Sequence, residues 1–94
     1  MQKWQEKVNK LSKNPGVYQF LDENGHILYI GKATTLQERV RQYFSGNDVR
    51  GERIFSMVSK ISEIKTIETE SVLEALILEA NLIKKHQPHH DFPR

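Results

Sequence analysis

Glu79 is the side chain in this sequence best suited to bind a metal ion. Its spacing from Val72, Leu76 and Ile83 would place it within one apolar stripe of a helix. A carboxylate in such a stripe loses hydration unless it is paired, protonated or bound to a cation. Two interpretations follow: an ion pair with Lys or Arg at the edge of the core, or a ligand of Mg²⁺, which commonly takes one or two carboxylates and several waters.

Tyrosine and basic side chains form a second group that could do chemistry. Tyr18 and Tyr29 lie on two segments predicted to be neighbouring strands, and Lys32 follows the second segment. Arg39 and Tyr43 lie one helical turn apart further on. A tyrosine, with an ordinary pKa near 10, is a poor base unless cations stabilise its phenolate. Lys32 and Arg39 could supply that charge or hold a phosphate. Taken alone, the tyrosines are more typical of packed core side chains with one hydroxyl hydrogen bond, and the basic residues are typical of a solvated helix face.

The sequence excludes several other kinds of catalytic site. It has no cysteine, and therefore no disulfide scaffold, thiolate zinc site or cysteine nucleophile. It also has no glycine-rich nucleotide loop, HExxH or GxSxG motif. His86, His89 and His90 lie around Pro88 near the C-terminus, a pattern more typical of a loose tail than of a metal site.

A β-hairpin is predicted to hold the two tyrosines. Residues 17–21 and 26–30 are rich in β-branched and aromatic side chains, and Asn24-Gly25 between them suits a tight turn. Gly31 is predicted to end the second strand.

Helices are predicted both before and after this hairpin in the sequence. Apolar spacing indicates helices over residues 3–11, from residue 36, from about residue 52, and over residues 72–86. Capping boxes are predicted at Thr35-Leu36-Gln37-Glu38 and at Ser71-Val72-Leu73-Glu74.

One further strand is predicted at residues 63–69, although the spacing of Ile61, Ile64 and Ile67 also fits a helix. The order helix, hairpin, helix, helix, strand, helix indicates an α+β fold. We expect a small sheet with helices packed on it.

The composition fits one small domain. Of 94 residues, 37% are hydrophobic and 28% are charged, which is enough apolar material for one small core. No stretch is long and apolar enough for a membrane span or a signal peptide. We expect a cytoplasmic protein without a membrane partner, since the lack of cysteine is typical of a reducing compartment. A net charge of +2 is compatible with binding nucleic acid without requiring it.

Several motifs occur in the order found in a known nuclease family. Gly16-Val17-Tyr18 precedes Tyr29-Ile30-Gly31, and Lys32, Arg39 and Tyr43 follow. A long string from residue 74 to residue 85, with Glu79 inside it, completes the series. The sequence therefore resembles the GIY-YIG nuclease superfamily over about residues 15–91, most of all the branch formed by the N-terminal nuclease domains of UvrC-type excinucleases and their short homologues.

The resemblance implies a fold, an activity and partners. The fold is a three-stranded antiparallel sheet flanked by helices, with a nuclease domain at residues 15–91 between an N-terminal helical extension (1–14) and a tail (92–94). The activity is hydrolysis of DNA phosphodiester bonds with Mg²⁺ or Mn²⁺, either as 3′-side incision in nucleotide excision repair or as structure-selective DNA processing. DNA is the implied partner, with other proteins of a repair complex if the chain is a domain of a larger protein.

The resemblance also implies a role for each candidate residue. Glu79 resembles the single metal-binding carboxylate, and Arg39 resembles the catalytic arginine that steadies the scissile phosphate. Tyr18 and Tyr29 resemble the signature tyrosines, one of which activates water.

The other motif residues support these. Lys32 and Tyr43 resemble supporting catalytic residues, and Gly16 and Gly31 are structural positions of the motif. Lys32 and Arg39, together with Arg41, are the candidate DNA-binding residues.

The C-terminal end departs from the family pattern. Where the family has Pro-x-Tyr-Asn, Pro88 is followed here by His89-His90-Asp91. Asp91 can replace the amide as an acceptor, but a carboxylate has no donor. Two alternatives therefore stay open: a catalytically lapsed DNA-binding module of the same fold, and a protein-interaction domain in which Glu79 and Arg39 are ion-paired.

Overall fold

The structure is a computed structural model that describes residues 3–46 and 51–86. In chain order its elements are α1 (Trp4–Asn9), β1 (Gly16–Leu21), β2 (Ile27–Ala33), α2 (Leu36–Phe44), α3 (Glu52–Ser59), β3 (Glu63–Glu68) and α4 (Val72–His86). The strands form one antiparallel sheet in the order β2-β1-β3. This confirms the predicted α+β class with a three-stranded antiparallel sheet.

The predicted hairpin forms, but its second strand continues past Gly31. Gly31 pairs with Tyr18, and the ladder extends to the pair between Gly16 and Ala33. The prediction that Gly31 ends this strand was wrong, because pairing with β1 outweighs the weak strand preference of glycine. The extension places Lys32 in β2, which is an edge strand of the sheet.

Residues 63–68 form β3, and the alternative helix in this segment is excluded. The strand pairs with β1 along its whole length, from Glu63 opposite Leu21 to Glu68 opposite Gly16. This pairing provides hydrogen-bond partners for backbone N–H and C=O groups that a short isolated strand would leave without them. The apolar spacing of the segment could not reveal it, because the partner strand lies more than forty residues earlier in the chain.

The two faces of the sheet pack against different helices. On one face, Val17 and Ile30 pack against Ala75 of α4. The opposite face packs against α1, α2 and α3, and its buried side chains include Tyr18, Phe20, Leu36, Val40 and Met57. Each such side chain contributes about 1.5–3 kcal/mol when fully buried, so both faces hold their helices firmly against the sheet.

Helix α4 buries a different stripe from the one predicted. Ala75 and Glu79 are buried, whereas Val72 and Leu76 are 42% and 45% exposed. The burial of Glu79 is as predicted, and the burial of Val72 and Leu76 was predicted wrongly. Apolar residues occupy much of the circumference of α4, so contact with β1 and β2 selects which part is buried.

The start of α2 is stabilised by backbone contacts rather than by the predicted capping box. The Thr35 side chain makes no cap hydrogen bond. Instead, the N–H groups of Leu36 and Gln37 donate to the carbonyl oxygens of Asn14 and Ser12. The segment before β1 thus accepts hydrogen bonds from the free N–H groups at the start of α2. A local sequence motif could not indicate this contact.

The capping box at the start of α4 forms in a shifted version. Ser71 Oγ accepts a hydrogen bond from the Glu74 N–H at 3.1 Å, as predicted. Glu74 Oε2 accepts its hydrogen bond from the N–H of Glu70, at 3.4 Å, rather than from Ser71. The Ser71 hydroxyl and the Glu74 carboxylate therefore both accept hydrogen bonds from backbone N–H groups at the start of α4.

The N-terminal helix packs onto the rest of the fold. Val8 is fully buried, and Gln37 Nε2 donates to the carbonyl oxygens of Asn9 and Leu11. The division at residues 14 and 91 stays a prediction, and residues 92–94 lie outside the described part of the chain. Among the described residues, no helix has both the length and the apolar character needed to cross a membrane.

Candidate active site

The hydroxyl groups of Tyr18 and Tyr43 meet inside the larger core. Tyr18 lies on β1 and Tyr43 on α2, and their hydroxyl oxygens are 3.0 Å apart, within hydrogen-bond distance. Their rings pack edge to face with centroids 5.7 Å apart, an arrangement that aromatic pairs favour. The two side chains are 1% and 3% exposed, so this contact is shielded from water.

Burial raises the pKa of Tyr18 well above its ordinary value of 10. The neighbouring Tyr43 and Tyr29 raise this pKa further, whereas the positive charge of Arg39 lowers it by less. Tyr18 therefore remains neutral at physiological pH. It is suited to holding Tyr43 by a hydrogen bond and poorly suited to accepting a proton.

We expect Tyr18 to make the protein sensitive to alkaline pH. Because its pKa is higher in the folded state than the unfolded value of about 10, its stabilising contribution is complete below pH 10 and is lost as the pH rises further. Release of this one proton in the unfolded state lowers the free energy of unfolding by up to about 1.4 kcal/mol for each pH unit above about 10. Urea unfolding between pH 7 and pH 11 measures the effect, and Tyr18→Phe should flatten the decline. An equally steep decline in both proteins would contradict the assignment.

Tyr29 is the most accessible of the three tyrosines. Its ring stacks on Tyr18 with centroids 6.0 Å apart and lies 6.1 Å from the ring of Tyr43. Its side chain is half-buried, whereas the other two are almost fully buried. Among these tyrosines, Tyr29 is therefore the one that a water molecule can best approach.

Arg39 is oriented by residues of its own helix. Its Nη1 donates to Gln42 Oε1 at 3.0 Å, and its Nη2 donates to the Tyr43 hydroxyl at 3.4 Å. The guanidinium carbon also lies 4.9 Å from the centre of the Tyr43 ring, a cation–π contact. The sequence analysis missed Gln42, although its position three residues after Arg39 on a helix is a signal that could have identified it.

Glu79 is a buried carboxylate that has no ion pair with residues 3–46 or 51–86. Its side chain is 8% exposed, and its Oε2 accepts a hydrogen bond from the Lys32 backbone N–H at 3.0 Å. The ion pair with Lys or Arg that a purely structural role predicts is therefore missing from the described part of the chain. A buried charge in this situation is suited to a bound cation.

The surroundings of Glu79 fit a hard divalent cation held by a single carboxylate. Within the described ranges, no three His, Asp or Glu side chains come together in a way that could hold a metal ion. Most ligands of a cation at Glu79 would then be waters, which is how Mg²⁺ is commonly bound because it gives up water reluctantly. The Lys32 N–H holds one carboxylate oxygen and so orients the group.

Lys32 connects the carboxylate with the arginine. Its backbone N–H binds Glu79 at the edge of β2, and its exposed side chain lines a groove of about 310 Å³ together with Arg39. The other residues that line this groove are Ala33, Thr34, Thr35, Glu38 and Gln42. Two cationic side chains in one groove suit a phosphate group.

Gly31 leaves space for the ring of Tyr18. A Cβ atom on Gly31 would collide with the ring and hydroxyl of Tyr18 on the adjacent strand. We expect Gly31→Ala to lower the free energy of unfolding by about 1–3 kcal/mol through overpacking, and to move Tyr18 away from Tyr43. Urea unfolding and near-UV circular dichroism measure the two effects.

The control for this change is Gly25→Ala in the hairpin turn, where a Cβ atom would meet no other atom within 4 Å. Gly25 has a φ of 81°, so its replacement should cost about 1 kcal/mol of stability from backbone strain. It should leave the near-UV spectrum unchanged. A Gly31→Ala spectrum identical to the wild type would show that Gly31 does not position Tyr18.

The remaining predicted residues lie apart from this groove. A Cβ atom on Gly16 would collide with the carbonyl oxygen of Ile67, so Gly16 allows β1 and β3 to pack closely. Arg41 Nη2 donates to Asn9 Oδ1 at 2.9 Å, and two residues along a helix turn it about 200° away from Arg39. The structure does not bring Arg41 to Lys32 and Arg39, and its DNA-binding role stays a prediction.

The altered C-terminal motif is not among the described residues. Asp91 lies outside the described residues, as do His89 and His90. His86 is exposed at the end of α4, and the described residues contain no group of three metal-binding side chains that could include it.

Comparison with known proteins places this geometry in a family. The family model of the UvrC-like GIY-YIG domain matches residues 14–92. The UvrABC system protein C of Acetivibrio thermocellus is 52% identical over 84 residues, which are 89% of this chain and 13% of that protein. The protein of the same name from Christiangramia forsetii is 54% identical over 81 residues, 86% of this chain and 13% of that protein. The chain thus spans about an eighth of the length of these relatives.

A solved structure agrees over nearly the whole chain. The GIY-YIG N-terminal endonuclease domain of UvrC from Thermotoga maritima, bound to magnesium as its catalytic divalent cation, superposes with a TM-score of 0.84 at 37% identity. The match covers 98% of this chain and 99% of that one. A point mutant of the same domain, also bound to its catalytic divalent cation, superposes with a TM-score of 0.85 at 36% identity.

Proposed function

Because this chain belongs to the family of UvrC-like GIY-YIG domains, we propose that it is a divalent-metal-dependent endonuclease that hydrolyses DNA phosphodiester bonds in nucleotide excision repair, by incision on the 3′ side. The observation that carries the proposal is the carboxylate of Glu79. It is 8% exposed and held by the Lys32 N–H, and no ion pair with the described residues accounts for its burial.

Glu79 is the residue that would hold Mg²⁺ or Mn²⁺, with waters as the remaining ligands. When bound, such a cation stabilises negative charge on a phosphoryl oxygen and lowers the pKa of water. The hydrogen bond from Lys32 keeps the carboxylate in one orientation, so little rearrangement is needed for binding.

Arg39 and Lys32 are proposed to hold the scissile phosphate. Both line the same groove of about 310 Å³, and a guanidinium group can contact two phosphate oxygens at once. Gln42 and Tyr43 fix the direction of the Arg39 side chain. Because the guanidinium group of Arg39 is already in place before the reaction, it can stabilise the negative charge that develops on the phosphate without any further rearrangement.

Tyr29 is proposed to accept, as its phenolate, the proton of the attacking water, which leaves a neutral phenol on Tyr29 and a hydroxide ion that attacks the phosphate. The Tyr29 side chain is only partly buried, so water can approach it, whereas the raised pKa of Tyr18 keeps that residue protonated and therefore unable to accept a proton. Tyr18 instead holds the hydroxyl of Tyr43 at 3.0 Å, and Tyr43 in turn contacts Arg39.

DNA and the other components of the UvrABC repair system are the proposed partners. A net charge of +2 provides few phosphate contacts, and each contact contributes about 0.9 to the salt dependence of binding to duplex DNA. We therefore expect modest affinity for DNA by this chain alone. Selection of the incision site would depend on DNA shape and on partner proteins.

The direct test is nicking of supercoiled plasmid by the purified protein with Mg²⁺, with Mn²⁺ and with EDTA. The proposal predicts open-circular product in the presence of either metal and none with EDTA. Metal-independent, salt-sensitive DNA binding without nicking would instead identify a lapsed DNA-binding module. Absence of both nicking and DNA binding at low salt would favour a protein-interaction domain.

A further inference from the structure

The Gln42 side chain carries a hydrogen-bond acceptor and two donors on opposite sides of its amide group. Its Oε1 accepts a hydrogen bond from Arg39 Nη1 at 3.0 Å. Because an arginine side chain contains only donors, the amide oxygen of Gln42 must face Arg39 and the amide N–H groups must face away from it. Within residues 3–46 and 51–86, the Nε2 atom of Gln42 makes no hydrogen bond.

Gln42 lies at the groove that Lys32 and Arg39 share. Its side chain is exposed and lines this groove of about 310 Å³. Residues 39 and 42 are three positions apart within α2, so their side chains are neighbours on the helix surface. The two N–H groups of Gln42 are therefore available to a ligand that Arg39 also contacts.

The charges around the groove favour a neutral donor at this position. Glu38 lies one helical turn before Gln42, is exposed and lines the same groove. Among the described residues, no hydrogen bond joins the Glu38 carboxylate to the Gln42 amide. Together with Lys32 and Arg39, it gives the groove lining two positive charges and one negative charge. Glutamine side chains are among the neutral groups that commonly donate to phosphate oxygens in protein–DNA complexes.

We propose that Gln42 is a DNA-binding residue, whose Nε2 donates a hydrogen bond to an oxygen of the phosphate that Arg39 and Lys32 hold. This inference rests on the proposed nuclease function and adds a residue that contacts the substrate directly. Gln42 then has two roles, because its oxygen positions Arg39 and its N–H groups bind DNA. Such a contact fixes the position of the phosphate backbone and carries no information on base sequence.

Gln42→Met tests this contact, because methionine has a similar length and no charge but cannot donate a hydrogen bond. Fluorescence anisotropy of a short labelled duplex, with EDTA and at low salt, measures DNA affinity without cleavage. Gln42→Met should weaken binding about tenfold, since a hydrogen bond to a charged group typically contributes at least this much. The dependence of affinity on salt should stay unchanged, because a neutral amide displaces no counterion from DNA.

A second comparison separates direct contact with DNA from action through Arg39. In the Arg39→Ala protein, Gln42→Met should still weaken binding at least about threefold, because the amide can donate to the phosphate without the arginine. If Gln42 only positioned Arg39, the second substitution would have no effect once the arginine is removed. That result, or wild-type affinity in Gln42→Met alone, would overturn the proposal.

Gln5→Met is the matched control, because Gln5 is exposed on α1 and is not part of the groove lining. It should keep the wild-type affinity and salt dependence. Far-UV circular dichroism checks that every variant is folded. Plasmid nicking by the wild type tests the nuclease function separately: binding without nicking would contradict that function and leave the Gln42 contact measurable. A wild type that does not bind the duplex at low salt would overturn both.

Discussion

Glu79→Gln should abolish metal-dependent DNA cleavage by this protein and leave it folded. The amide has no charge to attract a divalent cation, but its oxygen can still accept the hydrogen bond from the Lys32 N–H. Loss of the cation removes several kcal/mol of transition-state stabilisation. We expect cleavage to fall at least about 10³-fold, which corresponds to about 4 kcal/mol. The free energy of unfolding should stay equal or rise, because a neutral amide is less costly to bury than an unpaired carboxylate.

Plasmid nicking under single-turnover conditions measures this loss, and titration with Mn²⁺ followed by electron paramagnetic resonance measures metal binding without reference to activity. Glu63→Gln is the matched control, because Glu63 is an exposed carboxylate on β3. It should keep wild-type nicking and metal binding. Cleavage or Mn²⁺ affinity at the wild-type level in Glu79→Gln would rule out Glu79 as the metal ligand.

Arg39→Ala should lower the rate of cleavage about 10²–10³-fold, while Mn²⁺ binding at Glu79 persists. The guanidinium group is held by Gln42 and Tyr43 at the groove that it shares with Lys32. By comparison with the loss of one oxyanion-stabilising donor, its removal costs about 3–4 kcal/mol in the transition state. Arg39→Lys should recover part of the rate, because it restores a charge without the two-pronged geometry of the guanidinium group.

The division between kcat and KM distinguishes this role from simple attraction of DNA. Removal of a residue that stabilises only the transition state lowers kcat. Removal of a residue that attracts DNA equally in the ground state and the transition state raises KM alone. Arg53→Ala on α3 serves as the control for loss of an exposed positive charge, and we expect it to change kcat less than about twofold. If Arg39→Ala raised KM with an unchanged kcat, the proposed contact with the scissile phosphate would be wrong.

Most secondary structure could be predicted from the sequence, because its signals are local. The segments rich in β-branched and aromatic residues on either side of Asn24-Gly25 predicted the hairpin, and the apolar spacing from residue 36 predicted α2. The ordered tyrosine, lysine, arginine and glutamate motifs also identified the family, since they are specific as a set. Glu79 was conspicuous for the same reason: a charged residue interrupts an otherwise apolar pattern.

The errors arose wherever a distant segment determines the local structure. The backbone of residues 12–14 caps α2 in place of Thr35, and pairing with β1 extends β2 beyond Gly31. The sheet also buries Ala75 of α4 rather than Leu76. In each case the competing partner lies on another element or well away along the chain, where periodicity carries no information.

The sequence by itself determined the α+β class, the order of most elements and the residues that are candidates for the chemistry. Only the tertiary structure decided that Tyr18 and Tyr43 share a buried hydroxyl contact, that Gln42 orients Arg39, and that Glu79 is held by a backbone amide with no ion pair among the described residues. The physical reason is that residue type fixes which groups can ionise or bind. Burial and neighbouring groups, which depend on the packing of distant segments, fix whether a tyrosine keeps its proton and whether a carboxylate is available for a metal ion.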